Sequence, residues 1–295
     1  MTSDDAAQRP DGGYETALGS TSVGAARGWC RQVLVVAETE YRLAVRGRWA
    51  LAMTAIFATF SLGLATFSGA SVAPEGFDRT VASLAVIAVY LVPLVALAFG
   101  YDAVVGREES GWLQALFALP VDRSRIVVGT VLGRVVVFAS AVVIGFGITG
   151  GLLLLEFGLD GFDTYVGFLL ATVALGVAFL AFGILLSTLA REKTHALGLS
   201  LLLWAWFVLV HDLLALGVLS AFDLPDAAVS ALLVANPTGV YRALVLGALG
   251  AGGDAGFAAV LASAGLSGSV LVAALAAWIA GPIAAAAICI RRRRV

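Results

Sequence analysis

Six long apolar stretches, at about residues 49–67, 81–100, 131–155, 166–189, 197–219 and 269–290, dominate this chain. Each approaches the roughly 20 residues that a helix needs to cross the hydrocarbon layer of a bilayer. The expected fold class is therefore all-α: a polytopic membrane protein with six transmembrane helices. Composition agrees, at 60% hydrophobic and 13% charged over 295 residues, where an ordinary soluble domain is about a quarter charged. One soluble core cannot hide that much apolar surface. Soluble enzymes and nucleic-acid binders are excluded on the same ground, and nucleic acid is not an expected partner.

The charges fix an orientation. With both termini cytoplasmic, the inner segments hold Arg9, Arg27, Arg31, Arg42, Arg46, Arg48, Arg107, Arg123, Arg125, Arg134, Arg191, Lys193 and Arg291 to Arg294. That is 16 of the 18 basic residues, with only Arg79 and Arg242 outside, the bias that sets topology in membranes. The outer loops are acidic, carrying Glu75, Asp78, Glu156, Asp160, Asp163, Asp223, Asp226 and Asp254.

The first apolar run begins near residue 50, too deep for a cleavable signal peptide. Residues 1–27 are polar and Gly-rich and are expected to form a disordered cytoplasmic tail, which leaves residues 28–295 as one transmembrane domain. From Gly28 to Arg48, apolar Trp29, Val33, Val36 and Leu43 recur at near-helical spacing beside Arg31, Glu38, Glu40, Arg42, Arg46 and Arg48. That pattern predicts an amphipathic helix on the membrane surface, with lipid as its partner. Pro225, Pro237 and the Gly250–Gly256 cluster break up residues 220–268. The apolar pieces 227–235 and 239–249 read as two short helices at the outer surface rather than a seventh span.

Catalysis finds no support. A P-loop needs GxxxxGK followed by Ser or Thr, so that backbone amides and the lysine hold phosphates. The sole lysine sits in Arg191-Glu192-Lys193-Thr194, with Glu192 where glycine is required. The chain is not its own ATPase. Glu108-Glu109 opens an EExxxR protease motif, but the position for Arg holds Leu113. His195 and His211 stand 16 residues apart, about 24 Å along one helix, so they share no metal. Cys30 and Cys289 lie near opposite ends, and no CxxC is present. No catalytic, cofactor-binding or metal-binding residue is expected in this chain. The small-residue pairs Gly129–Gly133 and Gly147–Gly151 allow close helix approach and read as packing.

The most informative stretch joins the second and third spans. It runs Tyr101-Asp102-Ala103-Val104-Val105-Gly106-Arg107-Glu108-Glu109-Ser110-Gly111-Trp112, continues to Pro120, and turns through Val121-Asp122-Arg123. Trp112, Leu113, Leu116 and Phe117 form an apolar face, Pro120 stops that helix, and Asp122 can cap the next. A long connection with a short amphipathic helix suits docking to a cytoplasmic partner.

This connection resembles that of ABC-2-type permeases, in which an E-x-G segment leads to an apolar helix and a P-x-x-R turn. Here those are Glu109-Ser110-Gly111 and Pro120-Val121-Asp122-Arg123. The likeness sharpens towards one branch, the membrane subunit (NosY type) of the copper-maturation ABC transporter for nitrous oxide reductase. It rests further on Glu192-Lys193 with the following span to Val210-His211-Asp212-Leu213, and on Asn236-Pro237-Thr238-Gly239-Val240-Tyr241-Arg242. His211 stands where an apolar residue is expected, and Trp112 replaces the usual small hydroxyl residue. The similarity extends over about residues 33–294.

The resemblance implies a homodimer of six-span subunits bound to cytoplasmic ABC ATPase subunits, which use the ATP and Mg. It also implies a secreted β-helical copper-handling protein outside. Arg107, Glu108, Glu109, Gly111, Trp112, Leu116, Phe117, Pro120 and Arg123 would dock the ATPase. Asp212, Asn236, Pro237, Tyr241 and Arg242 would grip the outer partner or relay motion to it. A copper conduit would need soft Cys or Met ligands or His clusters, and Met53, Cys30, Cys289, His195 and His211 are scattered. Force transmission, or passage of a non-metal such as a sulfur species, fits better. A general ABC-2 exporter of lipid, drug or polysaccharide shares the first motif without needing the last. Asp212, about 24 Å up its span, reads as a carboxylate near the outer interface that is solvated or paired with Arg242.

Overall fold

The computed structural model describes residues 15–67, 76–109, 123–249 and 265–292. Among these residues the fold is helical, with no strand. The helices are α1 (Glu15–Arg46), α2 (Trp49–Phe67), α3 (Gly76–Gly100), α4 (Val105–Glu109), α5 (Arg123–Phe157) and α6 (Phe162–Leu189). There follow α7 (Lys193–Ala205), a π-helical turn (Trp206–Val210), α8 (His211–Ala221), α9 (Asp226–Val234), α10 (Pro237–Ala248) and α11 (Gly268–Arg292). Among the described residues, six helices are long and apolar enough to cross a membrane: Trp49–Phe67, Gly76–Glu109, Val128–Phe157, Phe162–Leu189, Lys193–Ala221 and Gly268–Ile290. All six expected spans are present. The short pair α9 and α10 is bent by 108°, in keeping with two separate pieces rather than one straight crossing.

The second, third and fourth spans carry the core, while the others expose most of their length. On α2 the inward residues are Met53, Phe57 and Ser61, one turn apart. Phe57 stacks with Phe138 and Phe146 of α5, and Phe146 meets Phe168 of α6 edge-on. The hydroxyl of Ser61 donates to Gly145 O at 3.1 Å and accepts from Thr149 at 2.9 Å. Such pairs satisfy polar groups that would otherwise be stranded in hydrocarbon. Helices α3 and α6 touch through glycine: a Cβ on Gly100 would lie 3.1 Å from Gly183 Cα. Just beyond, the Ser187 hydroxyl accepts from the N–H groups of Val104 (2.9 Å) and Val105 (3.1 Å). That capping lets the chain leave α3 and re-enter α4.

Helix α1 departs from expectation in two ways. It begins at Glu15 rather than Gly28, so residues 15–27 of the expected disordered tail are helical. No proline stands between Pro10 and Pro74 to stop the amphipathic stretch from extending backwards. Its inward face is also different, comprising Val33, Ala37, Glu40 and Ala44, while Leu43 is exposed. Gly129 and Gly133 of α5 explain why. A Cβ on Gly129 would meet Val36 Cβ at 2.6 Å, and one on Gly133 would meet Ala37 O and Glu40 Cβ at 2.5 Å. The expected small-residue contact thus joins α5 to α1, whereas Gly147 and Gly151 face open space. Gly133→Ala is expected to push α1 outward and destabilise by about 1–3 kcal/mol. Gly147→Ala is expected to be neutral or stabilising by up to about 1 kcal/mol. Thermal unfolding of the two variants in detergent checks both.

Candidate functional site: ion clusters at the two ends of the bundle

The first cluster lies where the turn after α3, helix α5 and the start of α7 bring Asp102, Arg134 and Lys193 together, the basic end of the bundle. Glu40, only 5% exposed, points from α1 into it. Arg107 of α4 donates to Glu40 and, at 3.1 Å, to Thr130 of α5, which in turn donates to Glu40 at 3.3 Å. Arg134 donates to Phe99 O and to Asp102 Oδ1, the latter at 3.1 Å, and its Nε stands 3.7 Å from Glu40. Its guanidinium also lies over the Phe99 ring, 5.0 Å from the centroid. Two carboxylates and two guanidiniums therefore tie α1, α3, α4 and α5 into one unit.

The expected docking residues divide here. Gly111, Trp112, Leu116, Phe117 and Pro120 lie outside the described residues. Arg123 opens α5. Arg107, expected to face a partner, is turned inward onto Glu40 and Thr130, and Glu108 is half-buried beside it. Glu109 is exposed, yet its Oε1 accepts from the backbone N–H of Lys193 at 2.8 Å. That carboxylate occupies the N-terminus of α7, where the orphan N–H groups and the helix dipole favour a negative charge. Glu109 thus couples α4 to the foot of the fifth span. Sequence reasoning missed Glu40, Asp102, Thr130 and Arg134.

The second cluster sits at the far end of the fifth span. Asn236 caps α10: its Oδ1 accepts from Thr238 N at 3.0 Å and from the Thr238 hydroxyl at 2.9 Å. Pro237 follows at the first helical position, where a missing N–H costs nothing. The Asn-Pro-Thr string is, in the first instance, a helix start. The other end of the same amide reaches across to the fifth span. Nδ2 lies 2.9 Å from Phe207 O, 3.1 Å from Asp212 Oδ1 and 3.1 Å from His211 Nδ1. The π-helical turn bears on this contact. The N–H of His211 bonds to Trp206 O, five residues back, rather than to Phe207 O. Phe207 O instead takes the Asn236 amide and, at 3.4 Å, the Thr238 hydroxyl.

One turn further along α10, Arg242 donates to Asp212, so the expected pairing is present. Tyr241 is fully buried and shares a 3.1 Å hydrogen bond with Thr172 of α6. It braces the interior and offers no surface. The same α10 therefore holds α6 through Tyr241 and the fifth span through Asn236 and Arg242. Among the described residues, no group of three or more His, Cys, Asp or Glu side chains is placed to hold a metal ion.

The profile of the ABC-2 family transporter proteins matches residues 34–294, nearly the whole chain. The chain belongs to the ABC-2 transporter family. It is 37% identical over 276 residues to the "Probable ABC transporter permease protein NosY" of Pseudomonas aeruginosa PAO1, covering 89% of this chain and 99% of that protein. It is 38% identical over 272 residues to the protein of the same name from Stutzerimonas stutzeri, with the same coverage. As an ABC-2 permease subunit it is a multi-pass membrane protein, in accord with its six candidate spans. For an ABC-2 permease, two helices run between the clusters just described. Helix α6 has Ser187 at one and Thr172 at the other. The fifth span has Lys193 at one and Asp212 at the other.

Proposed function

We propose that this permease subunit transmits work from a cytoplasmic ATPase to a partner outside the membrane, and that the work serves copper-site maturation of nitrous oxide reductase. The observation that carries this reading is the end-to-end similarity to two proteins named NosY, 37% and 38% identical over 99% of their length. The assembly would be a permease homodimer with both termini cytoplasmic. Two ATPase subunits would hydrolyse ATP on Mg, and a secreted β-helical copper-handling protein would sit at the acidic face. This chain itself would carry out no chemical step.

The geometry supports a mechanical role. A push on the segment after α4 would reach α6 through the Ser187 cap and α7 through the Glu109–Lys193 bond. Helix α6 at Thr172, and the fifth span at Phe207 and Asp212, are held by α10 or by its cap Asn236, so a shift of either would be delivered to that helix. The family match alone also suits a general exporter of lipid, drug or polysaccharide. Purification of the tagged chain in mild detergent from its native membrane, with copurifying proteins identified by mass spectrometry, separates these readings. An ATPase together with a secreted β-helical protein is expected. An ATPase alone would favour the general exporter, and no ATPase would sink both.

Glu109→Lys places a positive charge on the N-terminus of α7 and removes a cap. It is expected to lower retention of the ATPase, or its coupled activity, about tenfold, equivalent to about 1.4 kcal/mol. Glu109→Gln keeps the acceptor oxygen. Recovery with Gln would assign the effect to the position of α7; loss with both variants would assign it to the charge.

A further inference from the structure

A cavity of about 250 Å³ opens at the basic end between α1, the α3–α4 turn, α5 and the first turn of α7. Its wall sets Arg107, Arg134 and Lys193 against Glu40 and Asp102, three cations to two carboxylates. The carboxylates are engaged by the arginines, as described above. Two donors are left over. Arg134 Nε, 3.7 Å from Glu40, is buried with no hydrogen-bond acceptor, and the exposed Lys193 makes no ion pair among the described residues. Gly106 makes room for that lysine: a Cβ there would lie 2.8 Å from Lys193 Cε and 3.4 Å from its Nζ.

The rim is apolar. Leu43 and Trp49 line the cavity and are 51% and 44% exposed. Trp49 opens the first span, so the mouth stands where aromatic residues mark the boundary between hydrocarbon and headgroups. A net positive wall, a buried N–H donor and an unpaired ammonium suit a phosphate oxygen. Basic pockets between helices at this depth are the setting in which anionic headgroups bind. Free phosphate would use the cations but make no contact with the apolar rim of Leu43 and Trp49.

We propose that this cavity holds the phosphate of an anionic phospholipid, with its acyl chains passing Leu43 and Trp49. The lipid bridges α1 to the foot of α7. The inference is independent of which partner proteins the permease serves.

The sequence offers an unusually direct test, because Lys193 is the only lysine. The full chain is reconstituted in nanodiscs of phosphatidylglycerol or of phosphatidylcholine and pulsed with an amine-acylating reagent. Modification is read by peptide mass spectrometry. Arg191→Lys supplies an exposed reference lysine two residues away, outside the cavity. The comparison is made near 0.5 M salt, where screening over roughly 4 Å removes diffuse surface attraction. Acylation of Lys193 is expected to slow about fivefold or more in phosphatidylglycerol, against less than about twofold for the reference. Leu43→Glu, on the exposed rim, is expected to abolish the difference. Equal rates in the two lipids, or equal protection of the reference lysine, would overturn the proposal. Protection in phosphatidylcholine on adding inorganic phosphate would also overturn it, assigning the cavity to free phosphate.

Discussion

Replacing Glu40 with Ala is expected to destabilise the protein by about 3–5 kcal/mol, the scale for removing one partner from a buried ion pair. The loss arises from what remains. Arg107 keeps only Thr130 from this trio, and Arg134 loses the carboxylate that stands 3.7 Å from its Nε. Two guanidiniums then lie in a low-dielectric site with one carboxylate fewer to balance them. Glu40→Gln retains an acceptor oxygen but no charge and is expected to fall between Ala and the native chain. Glu40→Leu combined with Arg107→Leu is expected to recover much of the loss, because an apolar pair of similar volume often replaces a buried ion pair at little cost. Thermal unfolding in detergent gives the order of stability. Hydrogen exchange locates it: amides of α1 are expected to lose protection first, since Glu40 ties that helix to α4 and α5. Unchanged exchange in α1 of the Ala variant would show that apolar packing alone holds the helix.

Asn236→Leu has the second-largest expected effect, about 2–4 kcal/mol. Losing an N-cap costs about 1 kcal/mol, and stranding a buried carbonyl such as Phe207 O adds about 1–3. Asn236→Asp divides the two roles. It still caps α10, since aspartate is as good an N-cap as asparagine. It loses the donor to Phe207 O and sets a second carboxylate near Asp212, where Asn236 Nδ2 now lies 3.1 Å away. The Asp variant is therefore expected to keep α10 helical while loosening it from the fifth span. Disulfide trapping between cysteines placed on α8 and α10 reads that separation, and unaltered trapping would show that Arg242 alone suffices.

The six spans and the break between α9 and α10 were legible because hydrocarbon-length apolar runs and their interruptions are local properties of a sequence. The Asp212–Arg242 pair was legible for a related reason, as an ionisable residue inside a span demands a partner. The same rule applied to Arg134, inside the expected 131–155 span, would have flagged the basic-end cluster. Its partner could not be read. Glu40 sits among Glu38, Arg42 and Arg46 and looks like one more solvated charge. Only the close approach of Gly129 and Gly133 to α1 turns it inward. Arg107 and Glu109 were singled out for a partner's use, and each also has an internal one. The spacing of residues 101–109 gives no sign of Ser187, Thr130 or Lys193, which lie far along the chain. The π-helical turn left no mark either, because Trp206 to Val210 are uniformly apolar and hydropathy does not register helix pitch.

That widened turn makes the length of the fifth span as consequential as its composition. Each residue of an α-helix advances the azimuth by about 100°, and a π-turn absorbs a residue that a regular helix would express as rotation. Deleting one residue between Trp206 and Val210 would restore an unbroken α-helix while leaving every side chain beyond it chemically intact. Asp212 would keep nearly its present azimuth towards Arg242, but the carbonyl that now receives Asn236 would take the N–H four residues on instead. A shortened span of this kind would still insert and still face α10, and it would lack the acceptor that ties the two together.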